Sequence, residues 1–351
     1  MKPPLKMILT AVGCPGASTL INMLRRNGER KIEIIGVDMD GEASGRFMVD
    51  KFYKIPPGNS PNYISEMIRI AEKEGVAILF PESSNEVFPL ACNKKEFEKL
   101  GVKVVVSDPE PIAIANNKYR MYEILRRKTN IPLPRYYSVT TLDEFNKAIT
   151  ELEYPEKPVI FKPHIGKGSR GVRIIDPDIN RIDILMNYKP NDKYMSLRTF
   201  NEIFEESEIF PQLLVMEYLP GLEYTTDSIS LRGRELFTTI KTVEQARWGV
   251  IVKGELVRRQ DLVDQTRKIL KVIPLSYCSN FQFIDDRVIE INPRVSTFIY
   301  QNNLIPPYIA IKLALGEITE DDVMAYRTKI RYGIRMVRYM DQIFFEMKKD
   351  V

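Results

Sequence analysis

NFQFIDDRVIEINPRV, residues 280–295, reads as two strands joined by an acidic turn. The second strand alternates, so Glu290, Asn292 and Arg294 share one face. Gln282, Glu290 and Asn292 offer a cation only oxygen atoms, a set that suits Mg²⁺ shared with phosphate groups. For Gln282 to join that face, even-numbered residues must pair across the hairpin. The turn should then hold an odd number of residues, most simply Asp285-Asp286-Arg287. A two-residue turn at Asp285-Asp286 would, by strict alternation, put Gln282 and Glu290 on opposite faces. The two aspartates read as turn formers rather than as ligands.

Upstream, FKPHIGKGSRGV (161–172) sets Lys162 at the end of an apolar strand and gathers Gly166, Gly168 and Gly171 around Lys167, Ser169 and Arg170. VRII (172–175) follows as a returning strand, so no helix start is available to bind an anion. Affinity for phosphate must come from exposed backbone N–H groups with Lys162, Lys167 and Arg170. A solvated hairpin would explain the glycines but not the placement of Lys162. QLLVMEYLPGLEYTTDSISL (212–231) is an apolar strand ending at Glu217, a Pro-Gly break, and a strand opening with Glu223. In such a hinge, the backbone from Glu217 through Tyr218 to Leu219 can meet an adenine edge, and the Glu223 carboxylate can accept from ribose hydroxyls.

The first third alternates strands and helices. KMILTAV (6–12), KIEIIGVDMD (31–40), VAILFPES (76–83) and VKVVVSD (102–108) read as strands; residues 17–28 and 60–75 read as helices closed by Gly28 and Gly75. The pattern predicts a doubly wound parallel sheet over residues 1–112. Gly13-Cys14-Pro15-Gly16-Ala17-Ser18-Thr19 lacks the lysine of a phosphate loop and reads as a tight turn that starts a helix. Asp38 and Glu82 end strands at the sheet edge where open α/β sheets bind ligands, and are candidate substrate contacts or helix caps. Beyond Pro111 comes a basic helix over 115–130 with Asn116 or Asn117 as N-cap, then a helix opened by a Thr141–Glu144 capping box.

At 351 residues, two or three domains in series are expected. The net charge of +4 comes from intermixed signs and calls for neither nucleic acid nor a membrane surface as partner. Cys14, Cys92 and Cys278 are too scattered for a CxxC metal site or a disulfide framework, which points to a reducing cytoplasm. No apolar stretch has the length of a membrane span, and the N-terminus does not read as a secretory signal.

Lys162 with its GKGSRG loop, the EYLPGLEY hinge and FQFIDDRVIEINPR, in this order, resemble the ATP-grasp superfamily, most of all the carbamoyl-phosphate-synthetase large-chain branch and its single-unit carboxylate-amine ligase relatives. The resemblance implies a small doubly wound domain (1–112), a two-lobed ATP-grasp fold (113–210 and 211–318) and a C-terminal tail (319–351). It implies ATP and Mg²⁺, or Mn²⁺ in its place, with Gln282, Glu290 and Asn292 as metal ligands. Arg294 would contact the transferred phosphate or the acyl phosphate. Lys162 with the backbone of Gly168 and Ser169 would clamp phosphate, and Glu217, Tyr218, Leu219 and Glu223 would hold adenine and ribose. The first phosphate-binding cation matches Lys118 by the ligase pattern or Arg135 by the synthetase pattern, with Lys118 preferred. Small-molecule acid and amine substrates are implied, and relatives often form homodimers.

The chemistry that follows is activation of a carboxylate as an acyl phosphate, which an amine then attacks; it needs cations rather than a covalent nucleophile. Two readings compete with this ligase. One is phosphorylation of bicarbonate or carbamate, and the other is a nucleotide-binding regulatory protein without turnover. Lys241, Arg247 and Trp248-Gly249 are candidates for the active-site edge, and His164, the single histidine, reads as a loop residue beside the nucleotide more readily than as a general base. In the tail, Ile330, Tyr332, Ile334 and Met336 suggest a strand followed by a short helix, with Arg331, Arg335 and Arg338 on a solvated face or at the substrate.

Overall fold

The computed structural model describes residues 2–166, 168–187, 193–247, 250–296, 298–301 and 304–346. The chain folds into two compact units that do not follow chain order: residues 1–113, 224–281 and 291–351 form the first, and residues 114–223 and 282–290 the second.

The first unit opens with β1 (Leu5–Thr10), β2 (Ile32–Asp38), β3 (Lys51–Lys54), β4 (Ile78–Phe80) and β5 (Lys103–Val104), a parallel sheet in the order β3-β2-β1-β4-β5. This is the doubly wound sheet expected, with the short edge strand β3 added; its residues KFYK carry no apolar run that would announce it. Alternation along β1 splits its side chains between two cores. Leu5, Met7 and Leu9 enter one, and Ile8 enters the other with Tyr63, Met67 and Ile70 of the helix Tyr63–Glu74. That helix ends on Gly75 at φ 59°, the left-handed C-cap that glycine adopts without strain.

The second unit is built on β6 (Tyr136–Val139), β7 (Val159–Pro163), β8 (Arg173–Ile175) and β9 (Leu213–Glu217), an antiparallel sheet in the order β6-β9-β7-β8. Its core is aromatic, with Phe145 and Phe200 stacked at 3.9 Å between ring centres and Phe161 edge-on to both. Asn117 caps the helix Lys118–Lys128 by accepting from Arg120 N at 3.0 Å. Thr141 caps the next helix, but the capping box is only half formed, because the Glu144 carboxylate takes the N–H of Thr140 instead.

The remaining strands are β10 (Glu223–Leu231), β11 (Arg234–Thr242), β12 (Gln245–Arg247), β13 (Val250–Glu255), β14 (Tyr277–Ile284), β15 (Arg287–Asn292) and β16 (Arg335–Val337). They form two sheets, in the orders β11-β10-β14-β15 and β12-β13-β16. Ile229 of β10, Leu236 and Phe237 of β11, and Tyr308, Ile309 and Ile311 of the helix Pro306–Ala314 share one core with Leu5, Met7 and Leu9 of β1. The far end of the chain thus covers one face of the sheet formed by residues 1–113 within the same unit. In the tail the expected strand is shorter, and among the described residues no helix follows it. A Thr319–Asp322 capping box starts the helix Glu320–Ala325, and β16 comes after it, paired with β13. Arg335 is tied to Glu244 and Glu255 on the surface, whereas Arg338 is half buried and donates to Pro15 O and Ile251 O, so only the former has the solvated face expected. No helix among the described residues is long and apolar enough to cross a membrane.

Candidate functional site

The second unit brings together most of the residues singled out in the sequence. Strand β7 delivers Lys162, and the N-cap at Asn117 delivers Lys118 as the first residue of its helix. Both lysines are buried, at 8% and 5% exposure. Lys162 Nζ donates to Ile289 O at 2.9 Å and lies 5.6 Å from the Tyr122 ring centre, while the Tyr122 hydroxyl donates to the carbonyls of Val288 and Ile289. Lys118 Nζ donates to Gly166 O at 3.1 Å and stands 3.5 Å from Glu290 Oε1. Burial pushes the Lys162 ammonium down to about 8; Glu290 opposes that shift and Lys118 adds to it. Two buried cations thus face one carboxylate. Arg135, the other candidate for this role, is an exposed guanidinium paired with Glu153 at 2.5 Å, so Lys118 occupies the place beside Lys162.

The glycine loop joins β7 to β8. Gly168 and Ser169 have φ of 60° and 59°, two successive left-handed residues, and Gly171 follows at 75°. Such a run turns backbone N–H groups outward for an anion. Lys167 lies outside the described residues. The hinge follows β9: Glu217 Oε1 accepts from Arg135 N at 2.8 Å and from Arg287 Nη1 at 2.7 Å, and Glu217 N donates to Arg135 O at 3.1 Å. Tyr218 N donates to Pro158 O at 3.4 Å, and the Leu219 N–H has no partner among the described residues. Glu223 begins β10, half exposed. Asp285, expected only to turn the chain, also braces the hinge by accepting from Leu222 N at 3.1 Å and donating its own N–H to Leu222 O at 2.8 Å. His164 is buried, stacked on Tyr119 at 5.1 Å and 3.1 Å from Ser138 Oγ; burial lowers its pKa, which suits a neutral structural ring.

Strands β14 and β15 leave a two-residue turn, Asp285-Asp286, not the odd count expected. Nevertheless Asn292 Nδ2 donates to Asn280 Oδ1 at 3.4 Å, so even-numbered side chains do meet across these neighbouring strands. Phe281, Phe283 and Ile291 are buried while Gln282, Glu290 and Asn292 are part-exposed, although Val288 is buried as well. Strict alternation from the turn is therefore broken between them. Asp285, at φ 53°, is the irregular residue there.

Asn292 and Arg294 belong to the first unit, where Asn280 Nδ2 also donates to Asp227 at 2.8 Å and Asp227 is ion-paired with Lys241. Lys241 is 0% exposed and so is no open edge of a site, contrary to expectation: it neutralises Asp227. Arg247 is exposed on β12, and Trp248-Gly249 lie outside the described residues. Arg294 donates from Nε to Ser84 Oγ at 2.6 Å. Asp38 holds the turn by accepting from Gly13 N and Asp40 N. Glu82 is part-exposed with Oε2 buried, and desolvation, aided by Glu86 and opposed by Arg294 and Arg338, raises its carboxyl to about 8. Sequence reasoning did not single out Asn280, Asp227 and Ser84; the period-two step from Gln282 back to Asn280 was the one signal available. Among the described residues no three His, Cys, Asp or Glu side chains cluster as a metal site.

Residues 8–105 match the family described as "PylC-like, N-terminal domain", and residues 209–340 match "ATP-grasp in the biosynthetic pathway with Ter operon". The C-terminal part of the chain thus matches an ATP-grasp model. Among curated relatives, the chain is 26% identical over 291 residues to the carbamoyl phosphate synthase large chain of Clostridium acetobutylicum, covering 78% of its own length and 24% of the relative's. It thus spans about a quarter of the curated relatives it matches. Biotin carboxylase from Campylobacter jejuni superposes with a TM-score of 0.63 at 17% identity, over 90% of this chain and 72% of that one. N5-carboxyaminoimidazole synthetase from Staphylococcus aureus, complexed with ADP, gives 0.61 at 13% identity over 89% and 78%. L-amino acid ligase from Bacillus licheniformis gives 0.54 at 13% over 84% and 67%. At these identities the structures speak to the fold, which is mixed α/β with a parallel-sheet domain before the ATP-grasp portion.

Proposed function

We propose that the protein is an ATP-dependent, ADP-forming ligase that joins a small-molecule carboxylate to an amine. The observation that carries this reading is the buried pair Lys118 and Lys162 with Glu290 as their one carboxylate neighbour among the described residues. Uncompensated buried cations are costly unless an anion arrives, and a polyphosphate supplies several charges at once. Gly168 and Ser169 would add backbone donors to it, Leu219 N–H an adenine contact, and Glu223 a ribose acceptor. Gln282, Glu290 and Asn292 fit Mg²⁺ or Mn²⁺ through oxygen atoms alone, and Glu290 keeps 31% of its side chain accessible for that purpose. A cation held by these residues would offset charge on the moving phosphoryl group. Lys162 and Lys118 would orient the phosphates. Arg294, four residues beyond Glu290 in the chain, would steady the acyl phosphate and then the oxyanion formed when the amine attacks.

ADP release should be measured with Mg-ATP against amino acids, singly and in pairs, and against bicarbonate, with Glu290→Ala alongside. Turnover that requires an acid and an amine, and that disappears in Glu290→Ala, is the expected result. Turnover with bicarbonate alone would favour the carbamoyl-phosphate-synthase-like reading, to which the 26% identical relatives lend support. Mg-ATP binding without acceptor-dependent turnover would leave a nucleotide-binding regulator.

A further inference from the structure

Within the first unit, the hairpin that joins β10 to β11 turns through two residues, Arg232 and Gly233, with Leu231 paired to Arg234 across it. Both turn residues are left-handed, at φ 47° and 82°. Turns of this kind favour Asn-Gly or Asp-Gly, because longer side chains are strained at positive φ. Gly233 is required, since a Cβ there would stand 2.6 Å from Leu270 O. Arg232 is not explained by the turn. Its N–H donates to Ser276 Oγ at 2.9 Å and that of Gly233 to Leu275 O at 3.0 Å, so the turn's own donors are satisfied.

The turn forms one wall of a cavity of about 390 Å³, and Arg267 and Lys271, which share a face of the helix Gln260–Val272, form another. Arg234 and Glu235 complete the lining, so that four cations border one carboxylate. That carboxylate is already engaged. The Glu235 side chain is 1% exposed and accepts from Arg267 Nε at 2.9 Å, Arg327 Nη2 at 2.7 Å and Thr238 Oγ1 at 2.8 Å. Arg234 pairs with Glu320 at 2.9 Å, and Arg267 gives Nη1 to Asp264 at 2.8 Å. Arg232 and Lys271 form no ion pair among the described residues.

Solvation accounts for either charge singly. It does not account for an arginine kept at a left-handed turn position where it borders the same cavity as a second uncommitted cation. Two such charges match a phosphate monoester, which carries close to two negative charges at neutral pH and three strong acceptor oxygens. The volume is at the small end of ligand sites, which leaves room for a short organic group beside the phosphate.

We propose that this cavity binds a small phosphate monoester, with Arg232 and Lys271 taking its phosphate group. It uses none of the residues assigned to the nucleotide, and it stands whether or not the ligase reading does.

The test is calorimetric titration of the full chain with glycerol phosphate, beside inorganic phosphate and the dicarboxylate malate at the same ionic strength. Arg232→Asn places a residue suited to positive φ in the turn, and Lys271→Gln changes an exposed helical position, so both should melt like the wild type without ligand. Glycerol phosphate is expected to bind the wild type and Lys162→Met alike, and Arg232→Asn and Lys271→Gln at least about tenfold more weakly, as follows from losing one charged hydrogen bond. Lys271→Arg, which keeps the charge, should retain most of the affinity, and malate and inorganic phosphate should bind the wild type more weakly than the ester. Absence of ester binding at millimolar concentration would overturn the proposal, as would undiminished binding in Arg232→Asn and Lys271→Gln. Equal loss in Lys271→Arg and Lys271→Gln would reduce Lys271 to a structural role and overturn it too. Equal affinity for malate or for inorganic phosphate would refute the ester, and binding lost only in Lys162→Met would move it to the second unit.

Discussion

Replacing Lys162 by Met keeps the length and apolar bulk of the side chain and removes its charge, and the consequence depends on pH in a calculable way. Burial holds the folded-state pKa at about 8, against 10.5 for the free side chain. Below 8 the lysine is protonated in both states, and the folded protein bears the full cost of that buried charge. Between about 8 and 10.5 the unfolded chain retains a proton that the folded protein has released, so folding is favoured increasingly as pH rises. From pH 7 to pH 9.5 the wild type should therefore gain about 2 kcal/mol relative to Lys162→Met, taking about 1.36 kcal/mol per pH unit over the interval above 8. Urea unfolding of the nucleotide-free proteins at both pH values measures this difference directly. ATP should bind the variant more weakly, and the wild type should take up protons on binding ATP near pH 8, seen as a buffer-dependent heat. A stability difference that stays flat with pH, joined to unchanged ATP affinity, would refute the claim that Lys162 is a buried cation awaiting an anion.

Two further outcomes test the scaffold. Lys241→Met strands the Asp227 carboxylate at 1% exposure and should cost about 3–5 kcal/mol in urea unfolding, whereas the double replacement with Asp227→Leu should recover most of that loss. Gly221→Ala would place a Cβ 2.0 Å from Asp285 Oδ2, which must move and release Leu222 N; a loss of about 1–3 kcal/mol is expected, largely restored by adding Asp285→Gly, which also relieves the left-handed φ of 53°.

Local order was legible in the residues. The strand periodicity of β1, β2 and β4, the Gly75 C-cap, the Asn117 cap and the β7–β8 hairpin around the glycine loop follow from interactions between near neighbours in sequence. So does the alternation that groups Glu290 with Asn292. Where prediction missed, a distant segment decided. The β14–β15 turn was expected to hold an odd number of residues and holds two, yet Asn292 still reaches Asn280, and Asp285 in that turn is left-handed and anchored to Leu222. The tail strand was drawn too long at its start, because β16 extends only over the residues that pair with β13, and the helix opened by the Thr319–Asp322 capping box went unread.

By itself the sequence determined which segments are strands, which loop is rich in glycine, and which oxygen and nitrogen side chains are available to a nucleotide and a cation; each depends on spacing along the chain. Only the tertiary structure decided that Lys118 rather than Arg135 stands beside Lys162, that Lys241 is spent on Asp227, that the N-terminal sheet shares a core with the helix Pro306–Ala314, and that Glu82 keeps an unmet oxygen. Those outcomes depend on which charges are buried together, and burial is settled by residues tens to hundreds of positions apart.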